Sequence, residues 1–193
     1  IWDPKTERLH GLNASGRSPV NRSYDDLIAA LDGADSIPPL GHLPVTVPGT
    51  VDGWFEMHTK FGRLPMSDIL APAITYATDG FPVSPVIAYY FDRAERSFKR
   101  RQDMIQEFAN AQETYFEPAA PKAGEVFRNP DLANTLSLIA SQGRDAFYHG
   151  AIANTIDAYM RRIGGDLRAE DFARHESEWV EPGCVPYRDV ELC

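Results

Sequence analysis

Phe147-Tyr148-His149-Gly150-Ala151-Ile152-Ala153-Asn154-Thr155-Ile156-Asp157-Ala158-Tyr159-Met160-Arg161-Arg162-Ile163-Gly164-Gly165 carries the clearest helical pattern in the chain. Ile152, Ile156, Tyr159, Met160 and Ile163 step by four, three, one and three residues. That spacing lines them along one face of an amphipathic helix. Gly164-Gly165 stops it. One apolar stripe needs another surface to cover it, so neighbouring helices are expected.

Upstream, Asn129-Pro130 opens a helix with Leu132, Leu136 and Ile139 inward and Gly143 as its stop. Ser84-Pro85 starts another, read as running to about Asn110, with Arg93, Arg96, Lys99, Arg100 and Arg101 along it. Asp92, Glu95 and Asp103 stand at helical spacing from these, so the run reads as a solvated face. A helix from Ser67 carries Ile69, Leu70, Ala73, Ile74 and Ala77, with Pro72 one turn in. Val51, Trp54, Phe55 and His58 recur at helical spacing, with Thr50 as the expected cap and Gly62 as the stop. Ser23 caps a helix with Leu27, Ile28 and Leu31 on its apolar side. Downstream, Arg168 to His175 reads as one more short helix, and Glu178 to Cys193 as two strands joined at Pro182-Gly183. At the other end, Ile1 to Leu12 reads as a hairpin turned at Asp3-Pro4. The fold class is α+β, mostly helical, and residues 1–193 read as one incomplete domain whose end strands belong to sheets completed elsewhere.

The chain has 193 residues, 43% hydrophobic and 24% charged, which is globular composition. Lys plus Arg number 19 against 28 Asp plus Glu, a net charge of −9. That argues against nucleic acid as a partner. No apolar run reaches the roughly 18 residues of a membrane span. Cys184 and Cys193 lack CxxC spacing, which excludes a zinc ribbon. They read as two unrelated thiols, a single bridge between them being the alternative. The chain opens on Ile1 and closes inside Val190-Glu191-Leu192-Cys193, and is read as part of a longer or processed chain.

Chemistry read from residue types alone is thin. No phosphate loop, HExxH or GxSxG is present. The five histidines, His10, His42, His58, His149 and His175, show no ligand spacing, and nothing calls for a metal or other cofactor. Asp25-Asp26 and Glu170-Asp171 suit helix starts. Arg17 stands alone among small residues in Asn13-Ala14-Ser15-Gly16-Arg17-Ser18-Pro19. A guanidinium so placed can hold a carboxylate by two parallel hydrogen bonds, though on the residues alone a surface turn is the stronger reading.

A series of segments, in order, resembles the γ-glutamyltranspeptidase family. They are Leu12 to Pro19, Val47-Pro48-Gly49-Thr50-Val51-Asp52-Gly53, Phe61-Gly62-Arg63-Leu64-Pro65 and Leu70-Ala71-Pro72-Ala73-Ile74. Asp79 to Ser84, Asn129 to Ala133, Gly143-Arg144-Asp145-Ala146-Phe147-Tyr148-His149-Gly150, Gly164 to Leu167 and Pro186 to Val190 continue the set. Each is weak alone; their order from one end of the chain to the other is specific. Only about Tyr90 to Lys122 lacks the likeness.

The resemblance implies an αββα N-terminal-nucleophile hydrolase, made as a precursor that cuts itself. A threonine at the start of a smaller subunit, outside this chain, would be the nucleophile, with its own α-amino group as base. No catalytic residue is expected here. Arg17 takes the place of the arginine that holds the substrate's α-carboxylate. Where the best-known transpeptidases follow that arginine with an acid, this chain has Ser18-Pro19. The expected partners are a γ-glutamyl substrate and the chain's own small subunit; neither nucleic acid nor membrane is among them. Two alternatives stand beside γ-glutamyl transfer. One is an acylase of the same fold acting on β-lactam side chains or other dicarboxylate amides. The other is a helical interaction module without catalysis.

Overall fold

The computed structural model describes residues 1–193. Its helices are α1 (Tyr24–Leu31), α2 (Thr50–Phe61), α3 (Met66–Asp79), α4 (Pro85–Arg100), α5 (Phe108–Tyr115), α6 (Pro130–Gln142), α7 (Asp145–Tyr148), α8 (Ala151–Ile163) and α9 (Ala169–Ala173). A 3-10 turn, Gln102–Met104, lies between α4 and α5. Eight short strands form four antiparallel pairs. β1 (Trp2–Asp3) pairs with β2 (Arg8–Leu9), and β3 (Gly11–Asn13) with β6 (Glu178–Val180). β4 (Phe81–Pro82) pairs with β5 (Val126–Phe127), and β7 (Val185–Tyr187) with β8 (Val190–Leu192). The chain is α+β and mostly helical, as the sequence implied.

The core lies where α2, α3, α6, α7, α8 and α9 meet. Val51, Leu70, Leu136, Ile139, Tyr148, Ala153, Met160, Leu167 and Phe172 fill it, with Ile152, Ile156 and Ile163 packed against them. The stripe on α8 therefore faces inward. The pairing of β4 with β5 brings the end of α3 beside the start of α6, where Asn129 N donates to Ala77 O at 2.9 Å. Between those strands, α4 and α5 form an excursion. On α4 the basic side chains pair along the helix, Arg96 with Asp92 and Lys99 with Glu95, as a solvated face should.

Four local readings differ from the structure. The helix from Pro85 ends at Arg100, not near Asn110, and α5 begins after Glu107, which sits at φ 53°. A left-handed residue cannot lie inside a helix, so the two segments separate there. Gly49, not Thr50, caps α2, because Thr50 is already in its first turn. The tail forms three strands: β6 leaves the hairpin to pair with β3, while β7 and β8 pair with each other. That long-range pairing has no local signal. Finally, the β7–β8 register places Val185 opposite Leu192, so the next residues outward, Cys184 and Cys193, face each other. Their Cα atoms are 4.1 Å apart and they form a disulfide rather than two separate thiols.

Candidate functional site

Arg17 follows β3 in a loop fixed along its length. Asn13 Oδ1 accepts from Ser15 N at 3.0 Å, an Asx turn that bends the chain out of the strand. Gly16 then passes against another backbone: a Cβ there would lie 1.6 Å from Val47 O. Arg17 O accepts from Val47 N at 3.1 Å. Past the loop, Val20 N donates to Asp171 Oδ1 at 2.8 Å and Asn21 Nδ2 to Glu170 Oε1 at 3.2 Å. Arg22 pairs with Asp166. The acid pair Glu170-Asp171 thus serves both the start of α9 and this loop. The Arg17 side chain projects from the anchored backbone and is 73% exposed.

Its one protein partner is Glu178, whose Oε1 accepts from an Arg17 Nη. Sequence reasoning missed Glu178. The β3–β6 register sets Asn13 opposite Glu178, and that delivers the carboxylate to the arginine loop. Ser18 leaves Arg17 without an acid next in sequence; the sheet supplies one from 161 residues away.

Behind this edge lies a buried polar cluster that joins two of the family-like segments, Val47–Gly53 and Gly143–Gly150, to residues 175–177. Asp52, on the first turn of α2, is 2% exposed. Its Oδ1 accepts from Arg144 Nε and its Oδ2 from Ser177 N at 2.6 Å. An Nη of Arg144 donates to His175 O, and the guanidinium stacks over the Tyr148 ring at 4.6 Å. Tyr148 Oη donates to Pro48 O at 2.7 Å and accepts from Asp52 N at 3.0 Å. The His175 ring lies parallel to Tyr148 at 5.4 Å, its Nε2 3.8 Å from Asp52 Oδ2. Gly49 is required at this junction, since a Cβ there would meet Ala14 O at 1.8 Å and His175 Nε2 at 2.8 Å.

Burial opposes ionisation of Asp52, but hydrogen bonds from Ser177 and Arg144 outweigh it and hold the carboxyl below its usual range. Burial lowers His175; Asp52 pulls it the other way, while Arg144 and Arg17 add to the lowering. His175 is therefore neutral near pH 7. Burial pushes the Tyr148 hydroxyl up to about 12, so it stays protonated and able to donate. The cluster ties α2, α7 and the segment leading into β6 together. Through Ser177 it fixes the strand that carries Glu178.

The other candidates are structural. His58 Nε2 bonds Leu64 O at 2.7 Å, turning the chain after α2. Asp26 closes a capping box with Ser23 on α1. Cys184, Glu191 and Cys193 place three donor atoms together, but sulfurs joined in a disulfide are not thiolate ligands. An apolar groove of about 580 Å³ between α3 and α6, lined by Tyr76, Phe81, Phe127 and Leu132 among others, holds no carboxylate, histidine or basic group. The chemistry on this chain is thus a guanidinium and a carboxylate, paired and exposed, on a rigid edge.

Comparison with known proteins bears on what such an edge serves. The family model described as gamma-glutamyltranspeptidase matches residues 1–193. A glutathione hydrolase-like proenzyme of Bacillus subtilis is 35% identical over 189 residues, 97% of this chain and 34% of the relative. The glutathione hydrolase proenzyme of Pseudomonas aeruginosa is 40% identical over 148 residues, 76% of this chain and 24% of the relative. Among solved structures, a cephalosporin acylase from Bacillus halodurans superposes with a TM-score of 0.86 at 38% identity, over 95% of this chain and 34% of that one. The γ-glutamyltranspeptidase of Helicobacter pylori superposes with a TM-score of 0.85 at 26% identity, over all of this chain and 54% of that one. The chain spans about a third or less of the length of these two curated relatives. These structural neighbours are N-terminal-nucleophile hydrolases, which gives the fold class.

Proposed function

This chain belongs to the γ-glutamyltranspeptidase family, and from that membership we propose that it is the carboxylate-binding part of an enzyme that cleaves γ-glutamyl amides such as glutathione. The γ-glutamyl group would pass to water or to an amine. The observation that carries this reading is Arg17: a guanidinium exposed by 73%, with Glu178 as its one partner, on a loop whose backbone is anchored at Val47 and Asp171 and which Arg22 pins to Asp166. An anchored guanidinium with free N–H groups is suited to a carboxylate, because its donors match the two oxygens.

The reacting groups would come from outside residues 1–193. A threonine hydroxyl, relieved of its proton by its own α-amino group, attacks the γ-carbonyl carbon. The amine leaves with a proton, and an ester to the threonine remains. Water or a second amine then attacks that ester and regenerates the hydroxyl. Arg17 supplies position: with the α-carboxylate held, the γ-carbonyl is presented at a fixed distance, and orientation of this kind lowers the barrier. Two relatives are named proenzymes, which supports a precursor that is cut to free such a threonine. The exposed apolar residues of the β7–β8 hairpin, Val185, Tyr187, Val190 and Leu192, support further chain packing against it.

A second reading has its own support. The likeness to a cephalosporin acylase favours an acylase acting on a dicarboxylate side chain, whose free carboxylate Arg17 would bind in the same way. The test is release of p-nitroaniline from γ-glutamyl-p-nitroanilide by the full-length protein beside an Arg17→Ala variant. Turnover by wild type, with KM raised at least tenfold in the variant, is the expected result. A folded, cleaved wild type inert on this substrate moves the acylase reading to the front.

A further inference from the structure

The hairpin of β7 and β8 has two unlike faces. Val185 pairs with Leu192 and Tyr187 with Val190. Side chains alternate along a strand, so these four apolar groups share one face. Pro186 pairs with Glu191 on the other face, and Cys184 and Cys193, one step beyond Val185 and Leu192, stand on that face too. The apolar face is the one suited to packing against further chain. The opposite face carries Cys184, Cys193 and Glu191, all exposed, along a cavity of about 520 Å³ that Trp2, Arg8 and Glu181 also line.

On that face the two sulfurs and a Glu191 carboxylate oxygen lie within 4.8 Å of one another. Around a tetrahedral zinc ion, with sulfur at about 2.3 Å and oxygen at about 2.1 Å, neighbouring ligand atoms stand about 3.6–3.8 Å apart. The Cα atoms of Cys184 and Cys193 are 4.1 Å apart, so once the S–S bond is opened, rotation about the two χ1 angles parts the sulfurs that far while the strands stay paired. Pro182 O, 3.6 Å from Cys184 Sγ, puts a second oxygen beside the sulfur pair. Charge favours a cation here. Glu7, Glu181 and Glu191 outnumber Arg8 around the cavity, and Arg8 is already paired with Glu181 at 3.4 Å. The bond itself is within reach of a small reductant, and exposed disulfides are the ones that exchange.

We propose that the reduced β7–β8 hairpin is a binding site for a thiophilic divalent cation of the zinc class, held by the Cys184 and Cys193 sulfurs and a Glu191 carboxylate oxygen, with water in the fourth position. A dithiol opens the bond. One of its thiolates attacks a protein sulfur and releases the other; its second thiolate then displaces the mixed disulfide. The protein gains two thiols and the dithiol leaves as a cyclic disulfide. The cation displaces the two thiol protons, which pass to solvent. Thiolate sulfur selects zinc over magnesium or calcium, which take oxygen ligands. The hairpin is thus closed by a covalent bond under oxidising conditions and by a cation under reducing ones. This site is independent of the γ-glutamyl reading, since it uses neither Arg17 nor Glu178.

The experiment uses the full-length protein, reduced with excess dithiothreitol, desalted without oxygen and titrated with Co(II) as a spectroscopic stand-in for zinc. The expected result is one Co(II) bound per chain, with thiolate-to-cobalt charge-transfer absorption and the ligand-field bands of four-coordinate cobalt, both lost when Zn(II) is added. Oxidised protein should show neither. Cys184→Ser and Cys193→Ser should each lose the site, and Glu191→Gln should weaken Co(II) binding about tenfold or more with its thiol count unchanged. All samples are compared reduced, so none has the disulfide and its loss does not separate the variants. Reduced wild type without a thiolate band in excess cobalt overturns the proposal, as does a thiol count that does not rise on dithiol treatment. A band kept in either serine variant places the thiolates elsewhere and overturns it too. Glu191→Gln that binds as tightly as wild type refutes the three-ligand site.

Discussion

Replacing Gly16 with alanine is the sharpest test of how Arg17 is held. The added Cβ would lie 1.6 Å from Val47 O. A carbon and a carbonyl oxygen in contact stand about 3.3 Å apart, so the two backbones must part by about 1.7 Å. Val47 N to Arg17 O, now 3.1 Å, would open to nearly 5 Å, and the hydrogen bond that anchors the arginine's own peptide would be lost. Neither neighbour can yield cheaply, because both are main chain, and Val47 is itself buried in the core. A misplacement on the order of 1 Å near a reacting group costs about a hundredfold in rate. The expected fall in kcat/KM on γ-glutamyl-p-nitroanilide is therefore about a hundredfold, or about 2.7 kcal/mol. Gly183→Ala serves as the control, since a Cβ there meets nothing within 4 Å and the backbone is not left-handed. Far-UV circular dichroism establishes that both variants fold. Gly16→Ala within threefold of wild type, folded and cleaved, would refute the idea that the Val47 contact sets the arginine's position.

Two further outcomes follow from the buried cluster. Tyr148→Phe removes a hydroxyl that both donates to Pro48 O and accepts from Asp52 N, leaving the buried Asp52 N without that partner and Pro48 O without its bond. A loss of about 2–3 kcal/mol in chemical denaturation of the full-length protein is expected, and an unchanged midpoint contradicts the cluster's role. The acid limb of stability should show two components. His175 has a folded pKa below its unfolded value of about 6.5, so below that pH the unfolded chain takes up a proton that the folded chain resists. Its contribution is fully present above about pH 6.5 and is lost as pH falls. Asp52, also lowered, contributes above its unfolded value of about 3.9 and is lost below it, as pH falls through the folded pKa. Denaturation midpoints of His175→Asn between pH 7 and pH 5 should therefore be flatter than wild type, and an identical slope contradicts the assignment.

What could be read in the sequence, and what could not, divides by range. Most local signals hold, but Leu132 on α6, expected inward, is 46% exposed, because the helix buries only Ala133, Leu136 and Ile139. Ser23 and Asp26 form the capping box, Asn129 accepts from Leu132 N at the start of α6, and the α8 stripe packs on the core. These depend on residues within a turn or two of each other. Apart from the end of α4, the cap of α2 and the face of Leu132, the failures involve partners that no window contains. In sequence Glu178 reads as part of a terminal hairpin, yet it pairs with Asn13 at the opposite end of the chain. Asp52 sat unnoticed inside a motif, because its partners Arg144 and Ser177 are 92 and 125 residues away. The disulfide ranks second in the sequence because its geometry depends on the β7–β8 register, and two cysteines nine apart do not announce one. Arg17 is legible only through resemblance; its local setting alone gives a surface turn the better claim.

A buried ionised carboxylate facing an arginine is a poor device for stability alone, since removing both charges from water costs about what their attraction returns. Well-packed apolar side chains at Asp52 and Arg144 could fill the same space. They could not accept from Ser177 N or donate to His175 O, and those two bonds hold the main chain just before Glu178. The same cluster, through Tyr148 and Pro48, holds the turn whose neighbour, Gly49, packs on Ala14 beneath the arginine loop. Direction, not strength, is what the polar groups add here. The ionised cluster is therefore best understood by what stands on it: two exposed side chains of opposite charge whose separation is set from below, by bonds that an apolar core could not make.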